Sequence, residues 1–152
     1  MNRTIARAVA TLCAAGLFSC SNTDSAPSPE LATNGDVEVT AKLLAIPSDF
    51  PRNDLYDYVY VMKYHVLKVH RGKVDGDTIF VGHYNPLKPR ASAGDKYSGK
   101  VGGDVHRFQA GDVHRMALEA PLEELYMGGI IDKHIAEGGT RYRAIWTDRA
   151  SE

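Results

Sequence analysis

The sequence predicts a small all-β domain, a five-stranded Greek-key barrel, and three observations carry that prediction. Apolar and polar residues alternate with period 2 from Val37 to Ala45. A long run of β-branched and aromatic residues, Asp57 to Gly72, changes its parity midway. Turn chemistry rich in Gly, Pro and Asp separates the apolar runs throughout the second half of the chain. The chain has 152 residues, enough for one domain, and 18 basic against 19 acidic side chains. A near-zero charge excludes a dedicated nucleic-acid binder, which carries a basic excess. Two cysteines exclude a disulfide scaffold.

The first segment reads as an address. Arg3 and Arg7 precede Ala8 to Phe18, eleven residues without charge. That is the length of a signal-peptide apolar region and too short to span a bilayer as a helix. Residues 1–19 are therefore expected to be a signal peptide. The run ends Leu17-Phe18-Ser19-Cys20, which resembles a bacterial lipoprotein lipobox, with Phe18 a departure where a small or β-branched residue is commoner. The resemblance implies cleavage between Ser19 and Cys20 and lipidation of Cys20. With Ser21 next, it also implies sorting to the periplasmic face of the outer membrane. The alternative is an ordinary secretory signal with Cys20 incidental. Residues 21–36 are rich in Ser, Pro, Asn, Asp, Thr and Ala and lack periodicity, so 20–36 reads as lipidated cysteine and flexible linker. Fully extended, it reaches about 50 Å at ~3.3 Å per residue.

The folded body is expected over 37–152. Val37, Val39, Ala41, Leu43 and Ala45 form one face of the first strand, which Pro47 and the segment 48–54 break. In the second, Tyr58, Tyr60, Met62, Tyr64 and Val66 share a face before Leu67 and Val69 take the opposite parity. Such a phase change predicts a β-bulge, the device that turns a barrel corner. Asp75-Gly76 closes a hairpin into Thr78–His83, where Gly82 marks a close approach. A polar loop fills 84–104, and Val105–Phe108 is expected to add a short strand. Val113–Glu119 is the fourth strand. Pro121–Tyr126 is a helical turn stopped by Gly128-Gly129. Thr140–Asp148 is the last strand, with Tyr142, Ala144 and Trp146 on one face. Five strands, a bulged second strand and a helical turn describe the OB type of barrel. The same spacing also allows a small β-sandwich.

The run YVYVMKYHVLKVHRGKVDGDTIFVGH, followed by RFQAGDVHRMALE, resembles the netrin-like or tissue-inhibitor-of-metalloproteinases variety of OB fold. Val66, Leu67, Val69, Gly72, Ile79, Val81, Phe108, Gly111 and Leu118 occupy matching roles, and the likeness covers 37–119. What it implies is the fold. The animal family's disulfide framework is absent, and its inhibitory N-terminal cysteine does not carry over, because Cys20 lies beyond the linker.

Function is read from three constellations. His83, Tyr84, Asn85, Lys88 and Arg90 form a distinctive segment: an aromatic face, a bidentate amide and two cations suit an acidic glycan, a carboxylate or a protein loop. A Pro-fixed turn with solvated charges is the alternative. Gly-Asp-Val-His-Arg occurs at 103–107 and again at 111–115, so His83, His106 and His114 are candidate ligands for zinc or copper. Turn-and-strand chemistry explains the same repeat. Gly94 to Val101 matches a P-loop pattern without its Ser or Thr and outside a strand–helix context, so it reads as loop. Asp132 and His134 are expected to face water. No catalytic residues are assigned: there is no GxSxG elbow and no free thiol once Cys20 is acylated. The expectation is a lipid-anchored envelope protein, bound to the membrane through Cys20. It binds an envelope protein or polymer through 83–107, without cofactor and without nucleic acid. The alternative is a metal-dependent accessory domain.

Overall fold

Alternation builds the first strand as expected. Val37, Val39, Ala41 and Leu43 of β1 (Val37–Ala45) all point into one core. The computed structural model describes residues 26–47 and 57–152. The expected signal peptide, 1–19, and Cys20 lie outside the described residues.

β2 (Tyr58–Arg71) is long because it serves different partners along its length. One edge pairs Val59–His65 antiparallel with β3 (Thr78–Tyr84). The other edge pairs Lys63–Arg71 with β1. The β1–β2 register skips Leu67 and His70 on β2 and Leu44 on β1. The parity change is therefore a bulge: Val66 packs on the core while Leu67 and Val69 are 42% and 40% exposed. β4 (Val113–Glu119) lies antiparallel between β1 and the last strand, β6 (Arg141–Arg149). β6 in turn runs parallel to β3. The ring β1–β2–β3–β6–β4–β1 closes, and the fold is a small all-β, OB-like barrel.

A sixth strand lies outside the ring. β5 (Gly129–Ile131) pairs parallel with Tyr58–Tyr60, on the stretch of β2 that β1 leaves open. Three residues are too few for a periodic signal, so the sequence shows no strand there. Conversely, Val105–Phe108 is not a strand. It is irregular chain whose Val105 and Phe108 side chains fill the core at one end of the barrel. The bridge to β6 falls at Gly102 instead: its N–H donates to Ile145 O and its carbonyl accepts from Thr147 N–H. At Gly103, with φ +123°, a Cβ would stand 1.9 Å from Thr147 O, so only glycine passes.

Two short helices cover the barrel's outside. α2 (Leu122–Leu125) sets Leu122 on Gly82, where an added Cβ would meet Leu122 Cδ2 at 2.7 Å. This is the close approach expected at Gly82. The helix roofs a second cluster of Val59, Val61, Phe80, Tyr84 and Tyr126. α1 (Pro29–Thr33) corrects the linker boundary. Leu31 is fully buried against Ala117 and Ile145, and Ser28 donates to Asp148 Oδ2 from both N–H (3.2 Å) and Oγ (2.5 Å). One leucine and one capping carboxylate thus pin the chain eight residues after Cys20. Leu31→Ala is expected to cost about 2 kcal/mol, the low end for a buried leucine, because an outer helix can settle into the space. Equilibrium urea unfolding checks this. An unchanged midpoint would mean that α1 does not hold the barrel.

Candidate functional site

The barrel end reached by the close of β3, the start of β4 and the close of β6 is plugged by a polar network. Tyr64 sits on the inner face of β2, His83 near the end of β3 and His114 at the start of β4. All three are buried. The Tyr64 hydroxyl lies 3.0 Å from His83 Nε2 and 3.1 Å from His114 Nδ1, so it hydrogen-bonds both imidazoles. Phe108 closes the group, its ring centroid 4.5 Å from His83 and 5.3 Å from His114. Burial holds the His114 imidazole down to about 4, opposed by Asp112 and reinforced by Arg149. Burial, then Arg90 and His114, hold His83 well below the usual histidine range. Burial raises the Tyr64 phenol. At neutral pH the network is uncharged.

Arg90 stands over it. Its guanidinium lies 5.2 Å from the Phe108 centroid and the residue is 1% exposed. Nη2 donates to Asn85 O (2.6 Å) and Lys88 O (3.2 Å). Nε and Nη1 have no protein partner, and neither does His83 Nδ1. Burial lowers Arg90 to about 10, so it remains a cation at neutral pH. Among the described residues no carboxylate pairs with it. A buried charge costs several kcal/mol. The two carbonyls and the ring face offset part of that cost.

The segment singled out by sequence therefore divides. His83 and Arg90 are interior. Tyr84 is no exposed aromatic face: it is 4% exposed, packs on Tyr126, and donates its hydroxyl to Asp95 (2.5 Å). Asn85 turns the chain at φ +44°, a conformation asparagine tolerates, and its carbonyl accepts from Lys88 N–H as well as from Arg90. Lys88 is exposed, 3.5 Å from Asp57. Pro86 and Leu87 face the chain at 106–108 across a cleft of about 360 Å³, lined also by His106, Arg107 and Phe108. Leu87 is 58% exposed.

The three candidate metal ligands are not gathered round one point. His83 and His114 are buried with Tyr64 between them, whereas His106 is exposed. The repeat explains the split: its second copy opens β4 and turns His114 inward, while its first copy buries Val105 and leaves His106 outside. No group of three or more His, Cys, Asp or Glu able to hold an ion occurs among the described residues.

Other expectations shift likewise. The Gly94–Val101 loop is an ordered turn in which Asp95 Oδ1 accepts from Tyr97 and Ser98 N–H. Asp132 does not face water but pairs with buried Arg141 at 2.8 Å. Trp146 lies on the outer face beside Leu31, because the β4–β6 register skips Ile145. Tyr64 was visible only as one of several strand tyrosines. Arg149 falls one residue beyond the expected last strand, and Arg107 was hidden in the repeat. Arg107 and Arg149 line a second cleft of about 280 Å³ with His114 and Asp112. No family model, curated protein or solved structure matches the chain.

Proposed function

We propose that this protein is a lipid-anchored component of the cell envelope that acts by binding, without catalysis, through segment 83–107 at the mouth of its barrel. The cleft between Pro86-Leu87 and His106–Phe108 carries the reading. Both its walls come from that segment, and it sets an exposed leucine beside a free-standing arginine. An apolar cleft with an arginine at its edge, unpaired among the described residues, suits an acidic envelope protein or polymer. The OB-like barrel supports this, since such barrels bind at their loops. The netrin-like resemblance enters as kinship of fold. The anchor is lipid on Cys20, at the periplasmic face of the outer membrane. Eight residues from Cys20 to Ser28 span at most about 26 Å, which keeps Ser28, where the chain joins the barrel, within that distance of the surface.

The test is site-specific photo-crosslinking in intact cells. A crosslinker at Leu87 is expected to give a discrete product, lost on Arg107→Glu, with none from Lys73 in the β2–β3 turn. The purified mature protein should carry the added mass of lipid on Cys20. Equal products from both positions, or none from Leu87, would refute the binding reading, and an unmodified Cys20 would refute the anchor.

A further inference from the structure

We infer that the second cleft, at the close of β6, binds a compact oxyanion, a carboxylate or a phosphate, between Arg107, Arg149 and the Nε2–H of His114. The argument starts from the direction of the hydrogen-bond chain inside the barrel. Tyr64 has one hydroxyl proton and touches two imidazoles. Either His83 donates to it and it donates to His114, or the chain runs the other way. The buried guanidinium of Arg90 decides. Its positive field favours a bare lone pair on the unpartnered His83 Nδ1, and an N–H orphaned there would be the costlier alternative. His83 Nε2–H therefore donates to the Tyr64 oxygen and the Tyr64 hydroxyl donates to His114 Nδ1. His114 is left with its hydrogen on Nε2, and His114 lines the cleft.

That hydrogen is unspent. The nearest carboxylate, Asp112 Oδ2, stands 3.9 Å away, beyond a hydrogen bond, and already accepts from Gln109 N–H at 3.0 Å. Arg107 and Arg149 are exposed, and their guanidinium groups make no ion pair among the described residues. Two guanidinium forks outweigh the single Asp112 charge, and each matches the geometry of an oxyanion. A cleft of about 280 Å³ falls at the lower end of ligand sites, which favours a compact group over a large one. The site adjoins the proposed partner cleft through Arg107, but its chemistry stands without that partner.

The test uses the full mature protein, isotope-labelled, in detergent micelles. Two-bond proton–nitrogen correlations report the His114 tautomer, and Nε2–H is expected. Inorganic phosphate and sodium acetate are then titrated separately, with sodium chloride at matched ionic strength as the control. At least one oxyanion should shift the His114 ring signals saturably, and the two arms tell phosphate from carboxylate. The double variant Arg107→Gln/Arg149→Gln, at exposed positions, should weaken that binding at least tenfold. Asp112→Asn should strengthen it. An Nδ1–H tautomer at His114, shifts reproduced by chloride, or binding untouched by the arginine substitutions would overturn the inference. Those outcomes leave crosslinking at Leu87 unaffected, so the two readings fail separately.

Discussion

Tyr64→Phe is expected to cost the fold about 3 kcal/mol, a fall in melting temperature on the order of 10 °C. The substitution removes one oxygen and little volume, so the effect is not a cavity effect. Tyr64 is fully buried, and its hydroxyl is the hydrogen-bond partner both of His83 Nε2 and of His114 Nδ1. Without it, His83 keeps a buried N–H facing a phenyl ring, and a buried unmet donor costs about 1–3 kcal/mol. His114 loses its donor as well, though a bare imidazole nitrogen is the cheaper group to strand. Thermal unfolding of the single variant and of Tyr64→Phe/His83→Leu separates packing from hydrogen bonding. Removing both partners should recover much of the loss. A double variant as unstable as the sum of its singles would mean that the two groups do not couple. The same substitution releases the His114 tautomer, so oxyanion binding should weaken as well.

The legibility of this molecule in its sequence follows from period and length. β1, β2, β3, β4 and β6 were readable because each alternates or is densely β-branched over seven or more residues. Even the bulge was readable, as the switch from Val66 to Leu67. What escaped was either too short or decided by contact. β5 is three residues drawn onto an edge that β1 leaves bare. Leu31 lies in a stretch whose composition is that of a linker, and a single buried leucine has no periodicity to show. The candidate site shows the same division. His83, Arg90 and His114 were singled out by type, but sequence spacing is blind to inward or outward direction. It therefore grouped exposed His106 with two buried histidines and took buried Tyr84 for a surface ring. Arg149 and Tyr64 meet His114 only through the closure of the barrel, a contact between strands far apart in the chain. The expected linker shortens for the same reason: once Leu31 packs, its reach falls from about 50 Å to about 26 Å.

Acid is expected to unfold this protein in a window set by its buried histidines, between pH 6.5 and about 4. An imidazole with its pKa depressed in the folded state binds protons more readily once unfolded, so stability falls with pH from the unfolded value down to the folded one. For His114 those limits are the ordinary 6.5 and about 4. The residue is 1% exposed, so solvent gives little relief, and the loss from His114 alone reaches about 3 kcal/mol by pH 4. His83, held well below the usual histidine range by burial, then by Arg90 and His114, adds a loss of the same sign as pH falls below 6.5. His70, lowered by its partial burial and by Arg115, acts in the same direction. Glu137, lowered by Lys63 and His134, and Glu152, lowered by Lys42, give up their share from the ordinary 4.5 downward, at the foot of the window, so the comparison is made between pH 7 and pH 4.5. Asp95, held to about 2 by the Tyr84 hydroxyl and the Ser98 and Tyr97 N–H groups, gives stability that is whole above its ordinary 3.8 and lost only on falling toward 2. Against a typical total of 5–15 kcal/mol, the histidine loss is large enough to move the urea midpoint visibly between pH 7 and pH 4.5. His114→Gln, which still offers Tyr64 an acceptor, should flatten that pH dependence by the His114 share and leave that of His83. Equal midpoints at the two pH values in the unsubstituted protein would mean that the imidazoles carry charge inside the barrel. The uncharged hydrogen-bond chain from His83 through Tyr64 to His114 would then be wrong in direction and in kind.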